Sequence, residues 1–74
     1  NPVALIFAWS GALAKRADLD GNQELKNFAA RLEAATLQTI DEGEMTGDLA
    51  RLASPAPQNI LDSWEFIDAI ARRL

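Results

Sequence analysis

Residues 22–42 read NQELKNFAARLEAATLQTIDE and predict one long amphipathic helix, around which the rest of the chain is arranged. The spacing of its apolar positions by three and four residues places them on one helical face. These positions are Leu25, Phe28, Ala29, Leu32, Ala35 and Ile40. No proline interrupts the stretch, and Gly43 follows where a left-handed C-cap is expected. A second, narrower strip of Ala30, Ala34 and Leu37 leaves room for another helix, so neighbours are expected on two sides.

The segment before this helix is predicted to be helical as well. Asn1 and Pro2 suit an N-cap and a first helical position. Residues 3–9 are apolar without a break, a pattern that a buried strand also shows. Alanines continue the pattern to residue 14, and Lys15 and Arg16 suit a last turn, which favours helix. A helix that is apolar on every side is expected to be covered on every side.

The second half of the chain predicts two shorter helices. Thr46 can cap the first of them. Asp62 starts the second, where Glu65 completes a capping box and Leu61 can pack against Phe66. The four predicted helices cover about residues 2–17, 22–42, 47–53 and 63–73, with boundary errors of a few residues. An extended connector at 54–57 precedes the last helix, and the expected fold class is all-α.

Length and composition exclude several classes of function. Seventy-four residues allow one small domain at most. The chain contains no Cys and no His, so it lacks thiolate sites, the usual general base and the commonest metal ligand. Net charge is −4, and residues 22–50 carry six acids against Lys26 and Arg31, which disfavours nucleic acid as a partner. No apolar run reaches the roughly 18 residues that a membrane-spanning helix needs.

Several polar or aromatic positions suggest ligand sites but have simpler explanations. Residues 18–22 superficially resemble a calcium loop, although the ligand positions do not fit and a helix–helix turn explains them. The acids Asp41, Glu42, Glu44 and Asp48 can in principle bind a hard cation, but such a cluster is more often a solvated helix end. Trp9 and Trp64 are expected in the core.

One extended match connects the chain to a known family. NPVA and IFAWS at residues 1–4 and 6–10 resemble the NPIA…IFAWS/T stretch of NADP-dependent isocitrate dehydrogenases of the homodimeric, eukaryotic-like type. The likeness continues without a gap to residue 50, and it covers essentially the whole chain. The further matching residues are Leu13, Arg16, Leu19, Asp20, Asn22, Glu24, Leu25, Phe28, Ala29, Leu32, Glu33, Thr39, Ile40, Gly43, Met45, Thr46, Asp48, Leu49, Ala50, Phe66 and Asp68.

The resemblance implies a C-terminal piece of the large α/β domain of the isocitrate/isopropylmalate dehydrogenase-like fold. The abrupt start at Asn1 and the over-apolar first helix agree with a piece of a larger protein. The parent enzyme would decarboxylate isocitrate oxidatively to 2-oxoglutarate, with NADP and a Mg²⁺ or Mn²⁺ ion, as a cytoplasmic homodimer. Its metal ligands and catalytic residues would lie upstream of Asn1. The piece alone is therefore expected to be inactive and to have the remainder of the enzyme as its partner.

The resemblance also implies three coenzyme-binding residues. The family's Asn before the proline contacts adenine, which assigns that role to Asn1 beside its role as an N-cap. The Thr and Asp of the family's Met-Thr-x-Asp-Leu-Ala motif lie near the adenosine, which implies Thr46 and Asp48. Gly47 stands where the family usually has Lys, so any contribution of that lysine to phosphate binding is lost.

Two other classes of protein stay open at this point. One is a free-standing helical interaction module. The other is an acyl or peptidyl carrier, because residues 60–64 resemble the Asp-Ser-Leu serine site of that family. Ser63 has only eleven residues behind it, however, whereas the carrier serine opens the second of several helices.

Overall fold

The structure, a computed structural model, describes residues 2–52 and 59–74, and for Asn59 only the backbone. Its elements are helix α1 (Pro2–Asp20), helix α2 (Gln23–Asp41), strand β1 (Glu44–Thr46), helix α3 (Gly47–Ala50), strand β2 (Asn59–Leu61) and helix α4 (Ser63–Arg72). The described residues thus contain four helices, as expected, and the opening segment is helix rather than strand. The connector predicted at 54–57 lies outside the described residues.

A tight turn joins α1 to α2 and makes them antiparallel neighbours. Gly21 adopts a φ of 63°, in the left-handed region that glycine tolerates best. The backbone N–H of Asn22 donates to the carbonyl of Ala17 at 2.8 Å. The side chain of Asn22 then caps α2 by accepting from the N–H of Leu25 at 3.1 Å. The predicted helix–helix turn is therefore confirmed, while α1 continues to Asp20, beyond its expected end near residue 17.

Small and polar side chains fill the contact between the two long helices. Ala17 and Ala29 are buried, and Ser10 is completely buried with its hydroxyl donating to the carboxylate of Glu33. On α2, buried Thr36 and Thr39 donate to the carbonyls four residues earlier at 2.7 Å each. These bonds satisfy the threonine hydroxyls inside the helix. Within residues 2–52 and 60–74, no buried side-chain nitrogen or oxygen lacks a hydrogen-bond partner.

Two short parallel strands that the sequence does not predict follow α2. The left-handed C-cap expected at Gly43 is present, with a φ of 85°. The chain then runs into β1, which pairs with β2 so that Met45 lies opposite Ile60 and Thr46 opposite Leu61. Three residues are too few to show a period of two, and each strand exists only because a distant segment pairs with it.

The apolar core lies where α2, β1 and α4 meet. Four buried residues form its centre: Ala35, Met45, Phe66 and Ile70. Partly buried side chains pack around them: Val3, Ile6, Leu32, Ile40, Leu49, Ala50 and Leu61. Leu61 packs against the core cluster that contains Phe66, and a direct contact between Leu61 and Phe66 stays a prediction. Val3 from the first turn of α1 and Leu49 from α3 are among these side chains. The starts of both helices therefore pack against the same core.

Helix α4 begins with the predicted capping box. The carboxylate of Asp62 accepts from the N–H of Glu65 at 2.8 Å, and the Glu65 side chain accepts from the N–H of Asp62 at 3.0 Å. Ser63 is the first residue of this helix. The cap thus accounts for the Asp-Ser pair that resembles a carrier-protein site.

Helix α3 is shorter than expected. It covers Gly47–Ala50 rather than 47–53, and residue 53 lies outside the described residues. Arg51 still donates to the carbonyl of Gly47, but Leu52 donates to Leu49, only three residues back. A bond of this tighter kind closes a helix instead of extending it.

The expectation that both tryptophans belong to the core is wrong for this chain. Trp9 is 61% exposed and Trp64 is 79% exposed. On α1 smaller side chains pack against the core instead of Trp9, and on α4 Phe66 does so instead of Trp64.

In the described part of the chain, no helix is both long and apolar enough to cross a membrane.

The end of α4 is tied to β1 by an arginine that the sequence analysis did not single out. Arg73 donates to Glu42 at 2.7 Å and to Glu44 at 2.5 Å, and a third bond reaches the carbonyl of Ala69 at 2.9 Å. The hydrogen bonds from Arg73 and Gln38 hold the pKa of the Glu42 carboxyl below its ordinary value. The hydrogen bond to Glu42, which is the larger cause, and the hydrogen bond to Glu44 raise the pKa of Arg73.

We expect Arg73→Gln to lower the melting temperature at neutral pH and to matter less in acid. A carboxyl whose pKa is lower in the folded than in the unfolded chain stabilises the fold above its unfolded pKa. This contribution is lost as the pH falls below 4.5, the ordinary value for Glu42, and through the lower folded value. Thermal unfolding of the Arg73→Gln variant and of the unsubstituted chain, at neutral pH and at a pH below 4.5, measures the difference in melting temperature.

Arg72→Gln is the matched control for this prediction. The Arg72 guanidinium is 4.0 Å from Glu44 and its side chain is 68% exposed, so its loss is expected to change the melting temperature little. An effect of Arg73→Gln that is the same at both pH values, or no larger than that of Arg72→Gln, contradicts the assigned role of Arg73.

Candidate functional site

Two of the three predicted coenzyme-binding residues lie at the junction of β1 and α3. Thr46 is the last residue of β1, and Asp48 is the second residue of α3. Asn1 lies outside the described residues. Val3, two residues after Asn1, packs against the same core as Leu49, the neighbour of Asp48. The described structure therefore brings the first turn of α1 and the start of α3 onto one core cluster.

Thr46 and Asp48 are joined directly by a hydrogen bond. The Thr46 hydroxyl donates to a carboxylate oxygen of Asp48 at 2.5 Å. Thr46 occupies the N-cap position of α3, but its side chain makes no bond to the helix backbone. This bond holds the pKa of the Asp48 carboxyl below its ordinary value, so the group is ionised at neutral pH.

The two side chains differ in burial. Thr46 is only 5% exposed, and its hydroxyl is already used by Asp48. Asp48 is exposed, and the backbone N–H groups of Asp48 and Leu49 also interact with its carboxylate. A carboxylate at this place can accept hydrogen bonds from hydroxyl or amino groups of a ligand, whereas it repels phosphate. Thr46 is thus the buried donor of this pair and Asp48 the exposed acceptor.

The sequence points to Thr46 and Asp48 but not to the bond between them. The signal for it was present, because a hydroxyl and a carboxylate two residues apart at a helix start often bond locally. Gly47 between them has space for a side chain. A Cβ atom there would lie 3.8 Å from a methyl carbon of Ile60, which is ordinary van der Waals contact.

The nearby acids do not gather into a cation site. Glu42 and Glu44 both accept from Arg73, and Asp48 accepts from Thr46. Within residues 2–52 and 59–74, no three acidic side chains stand close enough together to hold a metal ion. The alternative of a cation bound by these acids has no support in the described part of the chain.

Comparison with known proteins shows which proteins this chain resembles. No family model matches the chain. All 74 residues align at 49% identity with the proteins named NADP isocitrate dehydrogenase 1 of Mycobacterium bovis and Mycobacterium tuberculosis. The whole chain also aligns, at 44% identity over 77 positions, with cytosolic NADP isocitrate dehydrogenase of Arabidopsis thaliana. The chain spans 18% of the length of the mycobacterial relatives and 19% of the plant one.

The chain is therefore homologous to one segment of a larger, NADP-linked dehydrogenase. That dehydrogenase is NADP isocitrate dehydrogenase, and the segment is the C-terminal one. The resemblance seen in the sequence is confirmed, and with it the fold class of a four-helix C-terminal piece.

Proposed function

We propose that this chain forms the adenine end of the coenzyme site in an enzyme that converts isocitrate to 2-oxoglutarate and produces NADPH. The observation that carries the proposal is the 49% identity over all 74 residues to proteins named for NADP and isocitrate. The position of Asp48 supports it, because an exposed, ionised carboxylate suits the hydroxyl and amino groups of an adenosine.

Each proposed binding residue has a distinct task. Asp48 accepts a hydrogen bond from the adenosine, and Thr46 fixes the direction of that carboxylate. Asn1 offers a donor and an acceptor to the adenine edge. The negative charge of Asp48 disfavours a phosphate beside it, so the 2′-phosphate of NADP is held by the remainder of the enzyme. Bound NADP would supply the hydride acceptor, and Asp48, Thr46 and Asn1 would hold its adenosine.

The metal and the catalytic groups belong to the remainder of the enzyme in this proposal. A Mg²⁺ or Mn²⁺ ion needs several oxygen ligands, and the described residues provide no such group. The proposed partners are the remainder of the enzyme, isocitrate, NADP and a second copy of the whole enzyme. The Arabidopsis relative is named cytosolic, and we propose the same compartment for this protein.

The test compares the full-length enzyme with the 74-residue chain. We expect the full-length enzyme to form NADPH from isocitrate, NADP and Mg²⁺, and to lose this activity when the metal is chelated. The chain alone should form none, because it contains no His or Cys and the described residues hold no metal-binding group of acids. NADPH absorbance measures both. Activity of the chain alone, or a full-length protein that ignores isocitrate, contradicts the proposal.

A further inference from the structure

One face of α1 is apolar and uncovered over its first three turns. Leu5, Ala8, Trp9 and Ala12 follow one another at steps of three, one and three residues, so they share a face of the helix. All four are exposed, and Leu5 and Trp9 are each 61% exposed. We call these four residues the outer face of α1. A leucine and a tryptophan exposed side by side on one helix are typical of an interaction surface.

The opposite face of α1 already makes the contacts within this chain. Its residues Ser10 and Ala17 are fully buried, and Val3 and Ile6 pack against the core. The main packing partner of α1 is α2. A small rotation of α1 could not bury the outer face within this chain, because the rotation would expose Ser10 and Val3.

We propose that the outer face of α1 is covered by an apolar surface of the remainder of the enzyme, so that α1 is an internal helix. This inference rests on the proposed function, which makes the chain a segment of a longer protein. Its second support is length, since the chain aligns from end to end yet spans only 18% of its mycobacterial relatives. The larger part of the protein is available to cover this face.

The chemistry of the face defines the surface that fits it. Between residues 4 and 14 α1 carries no charged side chain, so the covering surface is aliphatic or aromatic rather than acidic. Lys15 and Arg16 follow on the same side and are exposed. They mark the point where the contact ends and solvent begins.

A charge placed in the middle of the outer face tests the proposal. Ala8→Glu introduces a good helix former whose carboxylate lies in water in the isolated chain. In the full-length enzyme the same carboxylate would be buried without a partner. We expect the melting temperature of the full-length enzyme to fall by roughly 5 °C or more, while the isolated chain loses little.

Asn27→Glu is the matched control. Asn27 is also exposed in mid-helix, on α2, and the substitution adds the same charge. It can preserve the bond from Gln23, which donates to Asn27 at 2.9 Å. We expect the Asn27→Glu enzyme to keep its melting temperature.

Three outcomes decide the question. A fall for Ala8→Glu alone, confined to the full-length enzyme, supports an internal α1. Equal behaviour of the two full-length variants overturns it. If Ala8→Glu abolishes self-association of the isolated chain in light scattering but leaves the full-length enzyme unchanged, a second copy is the occupant and the proposal is wrong. NADPH formation from isocitrate by the unsubstituted enzyme is measured separately. Its absence would contradict the proposed function, whereas the melting temperatures of the variants test the burial of α1.

Discussion

Phe66→Ala is expected to unfold the 74-residue chain. Phe66 is 0% exposed and is the largest completely buried side chain among the described residues, at the centre of the core shared by α2, β1 and α4. Removing such a ring costs about 3–5 kcal/mol, since apolar contacts are lost and a cavity remains. A domain of this size lies near the lower end of the usual range of about 5–15 kcal/mol, so most of its stability would be lost.

Circular dichroism during thermal and urea unfolding measures this effect. Ile67→Ala is the matched control, because Ile67 is the next residue of α4 but is 45% exposed. Its loss is expected to be well below that of Phe66→Ala, and Phe66→Leu should fall between the two. The assigned core is wrong if the Phe66→Ala and Ile67→Ala chains unfold at the same urea concentration.

Asp48→Asn is expected to raise the Michaelis constant for NADP of the full-length enzyme roughly tenfold, because a hydrogen bond to a charged group is weakened. The Michaelis constant for isocitrate should stay nearly unchanged, since the proposed contact is to the adenosine. The substitution keeps the size of the side chain and an oxygen that can accept from Thr46. Steady-state kinetics with each substrate varied in turn measures both constants.

Asp41→Asn is the control for charge alone. Asp41 is an exposed acid at the end of α2, and its substitution should leave both Michaelis constants unchanged. Thr46→Val removes the hydroxyl that orients Asp48, so a smaller rise for NADP is expected, and Thr46→Ser should restore normal binding. Equal constants for the Asp48→Asn and unsubstituted enzymes would remove Asp48 from the coenzyme site.

The same kinetic measurement separates the two roles of Asn1. Asn1→Ala should raise the Michaelis constant for NADP, whether the side chain caps α1 or contacts adenine. Asn1→Ser keeps a capping oxygen but removes the amide. If the Ser variant binds NADP normally and the Ala variant does not, capping is the role and the adenine contact is wrong.

Local chemistry in the sequence determined the helices and most of their ends. The apolar period of residues 22–42 gave α2, and the Asn22 cap, the left-handed Gly43 and the Asp62–Glu65 capping box all lie where the sequence places them. These features depend on residues within four positions of one another. Their energetics are therefore already present in a short stretch of chain.

Contacts between distant residues decided what the sequence did not reveal. Strands β1 and β2 exist through mutual pairing, and Arg73 meets Glu42 from 31 positions away. The exposure of Trp9 depends on which side of α1 faces α2, and a helix that is apolar all round gives no local sign of that choice.

The candidate site shows both kinds of information. Resemblance to a family selected Asn1, Thr46 and Asp48 from the sequence. The 49% identity over the whole chain supports that resemblance. The hydrogen bond between Thr46 and Asp48 and their different exposure came from the tertiary structure. Thr46 is buried where β1 pairs with β2, and Asp48, to which its hydroxyl donates, is exposed. Pairing with a distant strand and packing in the core decide this difference in exposure, so the short stretch that contains both residues does not reveal it.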